Sequence, residues 1–225
     1  MPRPTVGIFG LTSCAGCQLN ILNCEDELLA LTGALDIRDF LMASSGNDTG
    51  CALDIALVEG SIVSKLDEIA VRKIRERAKT LIAIGTCAVH GGIARASGAN
   101  PLKSAVKVDL NIPGCPIEKD EFLSAISMLL HGDTPLLAEY PVCTECRMQE
   151  NNCLMSENGR FCCGPVTVAG CHARCPSLGV PCVGCRGPTR EVNAESLATL
   201  LECKGFSPSE TDRRLQTFAP VGENA

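Results

Sequence analysis

The chain has 225 residues, a net charge of −6, 45% hydrophobic residues and 16 cysteines, with no Trp and one Tyr. This length and apolar content exclude a mainly disordered chain, and the negative charge argues against a nucleic-acid partner. The N-terminal ten residues show no apolar leader or twin-arginine signal, and no apolar run reaches bilayer length, which predicts a cytoplasmic protein with reduced thiols and no direct membrane insertion.

The first 130 residues alternate short apolar runs with helical patterns. Strands are predicted at 5–11, 35–42, 52–59, 80–85 and 106–112, and helices at 18–31, 62–78 and 118–130. This alternation predicts an α/β fold with a doubly wound parallel sheet.

The composition changes beyond Pro135, where nine cysteines fall within residues 141–190 among Gly, Pro and polar residues. Such a segment buries little apolar surface, so metal–thiolate bonds are expected to hold it together. We therefore expect two domains, an α/β domain over 1–134 and a small irregular, cysteine-rich domain over 135–225.

Two helices are predicted near the C-terminus. The first covers 194–203 with Asn193 as its N-cap, and Ser207 and Glu210 form a capping-box pattern that opens one more helical turn.

Four cysteines follow predicted strands of the first domain: Cys14, Cys17, Cys87 and Cys115. We expect all four in loops that meet above one edge of the sheet, because sites in open α/β sheets form at the carboxyl ends of the strands. Four thiolates suit either a [4Fe–4S] cluster or a structural zinc ion. The cluster is favoured because structural zinc usually uses two local CxxC pairs, whereas two of these cysteines are single and distant in sequence.

The C-terminal cysteines divide into two further sets. The first contains Cys143, Cys146, Cys153 and either Cys162 or Cys163, and the second contains Cys171, Cys175, Cys182 and Cys185. Spacing alone is compatible with two clusters or two zinc ions. Iron–sulfur is favoured because three clusters in one chain form an electron relay, whereas three zinc ions would be independent structural sites.

Six motifs in this order resemble the small, iron–sulfur subunits of nickel–iron hydrogenases. They are TSCAGC at 12–17, VEGS at 58–61, IGTCAVHGG at 84–92, PGCP at 113–116, CGPVTVAGC at 163–171 and PCVGCRGP at 181–188. The resemblance runs from about Thr5 to Pro188 and implies a flavodoxin-like first domain, an oxidoreductase complex that acts on hydrogen, and three [4Fe–4S] clusters.

The resemblance also implies which residues hold each cluster. The proximal cluster takes Cys14, Cys17, Cys87 and Cys115; the medial cluster takes Cys171, Cys175, Cys182 and Cys185; the distal cluster takes Cys143, Cys146, Cys153 and Cys162. Cys162 is chosen over Cys163 because the family places this ligand nine residues before the cysteine that opens the medial set.

Two departures from exported family members are informative. Cys143 stands where those proteins use a histidine, and Cys175 completes a medial [4Fe–4S] set where they often have a [3Fe–4S] cluster. The chain thus resembles the cytoplasmic branch that reduces methyl viologen or coenzyme F420. The implied partners are a nickel–iron large subunit, which carries the catalysis, and a further iron–sulfur or flavoprotein subunit; no catalytic residue is expected here.

Other functions stay open at this point. The chain is alternatively a relay subunit of the same ancestry in a non-hydrogenase oxidoreductase, or a structural zinc protein that acts as an interaction module. The Gly7–Gly10 pair completes no nucleotide-binding motif, so no nucleotide site is expected.

Several residues near these cysteines have competing interpretations. Glu59 is either a neighbour of the proximal cluster or a carboxylate that caps the helix after Ser61. His90 is expected to be a loop histidine satisfied by backbone. The remaining cysteines are expected to be small buried hydrophobic residues: Cys24, Cys51, Cys163 and Cys203.

Overall fold

The computed structural model describes residues 3–221, which divide after Pro135 into two compact units. The first unit is an α/β fold around one sheet. The second has short helices joined by irregular segments.

The sheet of the first unit has five parallel strands. They are β1 (Thr5–Gly10), β2 (Asp36–Asp39), β3 (Leu53–Glu59), β4 (Ala78–Ile84) and β5 (Leu110–Ile112). Their order is β2-β1-β3-β4-β5, with every neighbouring pair parallel. This is the flavodoxin-like order of a doubly wound sheet, so the predicted α/β fold class is confirmed.

Five α-helices flank this sheet. They are α1 (Gly16–Leu22), α2 (Leu28–Ala34), α3 (Lys65–Arg77), α4 (Gly85–His90) and α5 (Lys119–Leu130). Helix α3 begins with a capping box, in which Ser64 accepts from the Asp67 N–H and the Asp67 carboxylate accepts from the Ser64 N–H. This cap places the helix start at Lys65, later than the predicted residue 62.

The helix predicted over 18–31 is instead two helices separated by residues 23–27. Three successive acidic residues, Glu25, Asp26 and Glu27, follow α1. Negative charge at a helix C-terminus opposes the helix dipole, which accounts for the break. The edge strands β2 and β5 are also shorter than predicted, at four and three residues.

The core of the first unit lies along the two central strands. Leu57 and Val58 of β3 and Leu81 and Ile82 of β4 are at most 1% exposed. Central strands of parallel sheets are covered on both faces, which explains their continuous apolar sequence.

The second unit contains α6 (Val142–Met148), α7 (Arg174–Ser177), α8 (Ala194–Cys203) and α9 (Pro208–Leu215). Helix α8 has the predicted bounds, and Asn193 caps it by accepting from the Ser196 N–H at 2.9 Å. Helix α9 is longer than the single turn predicted. The buried core of this unit combines Leu197 and Leu201 with Cys163 and Cys182.

Across residues 3–221, no helix has both the length and the apolar character needed to cross a bilayer.

Candidate functional site

The carboxyl ends of four strands lie level with one another. Gly10 of β1 pairs with Glu59 of β3, Glu59 with Ile84 of β4, and Ile84 with Ile112 of β5. The chain therefore leaves the sheet along one edge in all four cases. The segments after β1, β4 and β5 carry Cys14 and Cys17, Cys87, and Cys115, in that order.

Two of these cysteines lie on helices rather than in the predicted loops. Cys17 is the second residue of α1, and Cys87 is the third residue of α4. Both helices begin at a glycine. Helix α4 follows β4 directly, whereas α1 follows β1 after a five-residue connection. The expectation of loop positions is wrong for this pair, whereas Cys14 and Cys115 do lie in connecting segments.

Burial and neighbouring thiols raise the pKa values of Cys87 and Cys17. Burial, followed by repulsion from Cys115 and Cys14, raises the pKa of Cys87 to about 11. Burial also raises the pKa of Cys17, with smaller contributions from Glu59, Cys115 and Cys87. The thiolate forms therefore repel one another, and cationic iron bound between them would stabilise all four.

Glycine leaves space beside two of these sulfurs. A Cβ added at Gly85 would lie 2.4 Å from Cys17 Sγ, and one added at Gly92 would lie 2.6 Å from Cys87 Sγ. Both glycines have positive φ angles, of +82° and +63°. The backbone thus approaches these two sulfurs more closely than a residue with a Cβ would allow, which fits thiols packed into one ligand set.

Glu59 connects the end of β3 to the start of α1. Its side chain is 2% exposed, and its carboxylate accepts from the N–H groups of Cys17 at 3.0 Å and Gln18 at 3.2 Å. The Gln18 side-chain amide donates to it at 2.9 Å. Glu59 thus caps α1 beside a cysteine; the alternative that it caps the helix after Ser61 is wrong, because Ser64 caps α3.

The sequence predicts His90 in a loop, but His90 is the last residue of helix α4. Burial lowers its pKa to about 4, and the cations Lys103 and Arg95 contribute in the same direction. The imidazole is therefore neutral near pH 7.

The first C-terminal set surrounds one cavity. Its lining includes Cys143, Cys146, Cys153 and Cys162. A Cβ added at Gly164 would lie 3.2 Å from Cys143 Sγ and 3.5 Å from Cys162 Sγ, so glycine again leaves room beside the thiols. Burial, followed by repulsion from Cys162 and Cys146, raises the pKa of Cys143 to about 12.

Cys162 and Cys163 line different cavities. Cys163 is 2% exposed and lines a second cavity together with Phe161, Cys182 and Arg214. The two adjacent cysteines therefore have different surroundings, although their sequence positions differ by one residue.

The second C-terminal set is spread over α7 and the segment after it. Cys171 precedes α7, Cys175 lies within it, and Cys182 and Cys185 follow it. Burial raises the pKa of Cys182, and among the thiols that contribute are Cys162 and Cys163. These electrostatic contributions relate Cys182 to cysteines of the first C-terminal segment. They do not show that the four sulfurs of the second set lie around one centre.

Two buried charged residues in this unit were not predicted from the sequence. Glu145 is 6% exposed and lies between Cys143 and Cys146 on α6, and Arg186 is 2% exposed and follows Cys185. Charged residues are seldom buried unless they have partners. The sequence positions of Glu145 and Arg186, beside cysteines, gave no sign that either side chain is buried.

The cysteines without an assigned role differ in burial. Cys24 and Cys163 are buried at 0% and 2% exposure, as expected for small hydrophobic residues. Cys51 is half-buried and Cys203 is exposed, so the expectation of burial is wrong for these two.

Among residues 3–221, no three His, Cys, Asp or Glu side chains are grouped so as to hold a single metal ion.

A family model described as the NADH ubiquinone oxidoreductase, 20 Kd subunit, matches residues 14–129. The sulfhydrogenase 2 subunit delta of Pyrococcus furiosus is 36% identical, over 95% of this chain and 98% of the relative. A vhu subunit of the F420-non-reducing hydrogenase of Methanocaldococcus jannaschii is 33% identical, over 82% of each chain.

The fold is shared with a solved hydrogenase structure. A chain of the reduced, active Ni-Fe-Se hydrogenase from Desulfomicrobium baculatum superposes with a TM-score of 0.64 at 17% identity, over 97% of this chain and 99% of that one. At this identity the likeness shows the fold alone.

Proposed function

Because this chain belongs to the NADH ubiquinone oxidoreductase 20 Kd subunit family and, within it, to the nickel–iron hydrogenase small subunits, we propose that it relays electrons through three [4Fe–4S] clusters. The observation that carries the proposal is the placement of Cys14, Cys17, Cys87 and Cys115 in segments that follow strands ending level with one another at the same side of the sheet.

Each cysteine set has one role in this proposal. Cys14, Cys17, Cys87 and Cys115 hold the proximal cluster; Cys171, Cys175, Cys182 and Cys185 hold the medial cluster; Cys143, Cys146, Cys153 and Cys162 hold the distal cluster. The cavity shared by the last set supports this assignment, and so does the separate cavity of Cys163. The medial set rests on the family resemblance.

When bound, an iron–sulfur cluster accepts and donates single electrons at a potential set by ligation, hydrogen bonding and burial. The residues of this chain supply those conditions. Thiolates hold the irons, Gly85 and Gly92 leave room beside the sulfurs, and Glu59 fixes the start of α1 and therefore the position of Cys17. Burial of Cys17 and Cys182 excludes water.

The partners follow from the relatives, which are named as hydrogenase subunits. We propose a nickel–iron large subunit that performs the hydrogen chemistry and a further iron–sulfur or flavoprotein subunit that receives the electrons. The chain is then a non-catalytic component of a cytoplasmic oxidoreductase.

A relay can be separated from hydrogen activation by two assays on the purified complex. Hydrogen–deuterium exchange needs only the nickel–iron site, whereas sustained dye reduction also needs electrons to leave through this chain. Cys146→Ser is expected to retain exchange and to lose most dye reduction. Cys203→Ser, at an exposed cysteine without an assigned role, is the control. Full dye reduction by Cys146→Ser would contradict the relay.

A second candidate is favoured by the description of the family model, which names a different oxidoreductase. In that case this chain relays electrons in a complex that has no nickel–iron site. The family model matches only residues 14–129 and so leaves out all eight cysteines assigned to the medial and distal clusters, which weakens this candidate. Nickel on a co-purified subunit decides between the two.

A further inference from the structure

We propose that Glu145 is a positioning residue that holds the Cys171 loop, residues 169–173, and keeps a negative charge beside Cys171. It thereby joins the distal cysteine set to the medial one. This inference rests on the proposed function, in which Cys171 is a cluster ligand.

The Glu145 carboxylate binds the backbone on both sides of Cys171. Its Oε1 accepts from the Gly170 N–H at 2.8 Å, and its Oε2 accepts from the Ala173 N–H at 3.0 Å. The Cys171 Sγ lies 3.9 Å from Oε2. Because Glu145 is 6% exposed, these bonds are shielded from water and from salt.

The Cys171 loop has an unusual backbone. Gly170 has a φ angle of +111°, and His172 and Ala173 have φ angles of +54° and +48°. Two successive non-glycine residues in the left-handed region persist only where their surroundings hold them. The Glu145 carboxylate holds this conformation by accepting from the Gly170 and Ala173 N–H groups.

Arg186 holds the same loop from the medial side. Its Nε donates to the Ala169 carbonyl at 2.8 Å, and it directly follows Cys185 in sequence. Glu145 lies within the distal CxxC pair, and Arg186 directly follows the medial CxxC pair. These two buried charged residues therefore bind the same five-residue segment, Arg186 at its first residue and Glu145 at its second and last. The hydrogen bonds that Glu145 and Arg186 make to the Cys171 loop involve protein groups only, and both side chains are buried.

Two consequences follow for cluster binding. The Glu145 hydrogen bonds fix the loop conformation through protein atoms alone, so Cys171 is held in position for its ligand role. The carboxylate also favours the oxidised, less negative state of a nearby cluster, and its loss is expected to raise the reduction potential of that cluster.

The test uses the purified complex with Glu145→Gln, which keeps the size of the side chain and removes its charge. Glu202→Gln is the matched control, because Glu202 is exposed on α8 in the same unit. Iron and acid-labile sulfide are measured per chain, and cluster potentials are followed by redox titration with electron paramagnetic resonance. Glu145→Asp, which retains the charge on a shorter side chain, is the third variant.

We expect Glu145→Gln to shift one cluster potential upward while the proximal signal and the control stay unchanged. Loss of about four irons from Glu145→Gln, recovered at least partly by Glu145→Asp, also supports the inference. Unchanged iron and unchanged potentials in Glu145→Gln would overturn it, and so would equal iron loss in both variants. A wild-type complex without iron–sulfur clusters would instead reject the proposed function.

Discussion

The carboxylate of Glu59, at the end of β3, accepts a hydrogen bond from the backbone N–H of Cys17 at 3.0 Å. This bond joins a central strand to the first turn of α1, which carries the cysteine. Glu59 also contributes, after burial, to the raised pKa of Cys17. One side chain therefore fixes the position of a proposed proximal ligand and sets the charge beside it.

Replacement of Glu59 by alanine is expected to destabilise the chain, because the Cys17 and Gln18 N–H groups would be buried without an acceptor. Each unsatisfied buried donor costs about 1–3 kcal/mol. Thermal unfolding of the complex measures the loss. Glu76→Ala, at an exposed residue of α3, is the control. Equal melting temperatures for the two variants would show that the Glu59 bonds contribute nothing to stability.

Gly85→Ala is expected to reduce iron loading of the proximal set, because the new Cβ would lie 2.4 Å from Cys17 Sγ. Gly98→Ala separates this contact from backbone strain. Gly98 has a φ of +90°, similar to the +82° of Gly85, but a Cβ there meets nothing within 4 Å. Iron per chain should fall by about four in Gly85→Ala and remain unchanged in Gly98→Ala. Full iron loading in Gly85→Ala would contradict the close approach.

Cys162→Ser is expected to disrupt the distal cluster, and Cys163→Ser is expected to leave it in place. Cys162 lines the cavity that contains Cys143, Cys146 and Cys153, whereas Cys163 lines another. Iron analysis and electron paramagnetic resonance of the two single variants compare the adjacent positions directly. The opposite result would assign the ligand to Cys163 and correct the spacing argument.

His90 is expected to make stability depend on pH. Its folded pKa of about 4 lies below the ordinary value of 6.5, so between these pH values the unfolded chain takes up a proton that the folded chain does not. Stability is therefore retained above pH 6.5 and falls as the pH decreases towards 4, by at most about 1.4 kcal/mol per pH unit.

Thermal unfolding of wild type and His90→Gln at pH 7.5, 6.5 and 5.5 isolates this contribution. The wild type should lose more stability than the variant at the lowest pH. Parallel pH profiles would mean that His90 titrates alike in the folded and unfolded chains.

The sequence predicted those features that depend on local pattern. The apolar run of β3 and the Asn193 cap of α8 each specify their element through nearby residues, and both were predicted close to their observed bounds. The sequence also predicted that Cys14, Cys17, Cys87 and Cys115 follow strands of the sheet, because the strands themselves have recognisable apolar patterns.

Features that depend on distant partners were not predictable. Glu59 meets Cys17 across 42 residues, and Glu145 meets Ala173 across 28, so neither contact has a local signal. The start of α4 at Gly85 was missed because a six-residue helix is too short to show a periodic pattern. The adjacent Cys162 and Cys163 differ in burial and in the cavities they line, and no spacing rule derived from the residues alone could show either difference.

The most direct test of the relay is anaerobic quantitation of iron, acid-labile sulfide, nickel and zinc in the natively purified complex. Three [4Fe–4S] clusters predict about twelve irons with matching sulfide on this chain and nickel on a partner subunit. Stoichiometric zinc with little iron would contradict the account, because the cysteine sets would then be structural sites that carry no electrons.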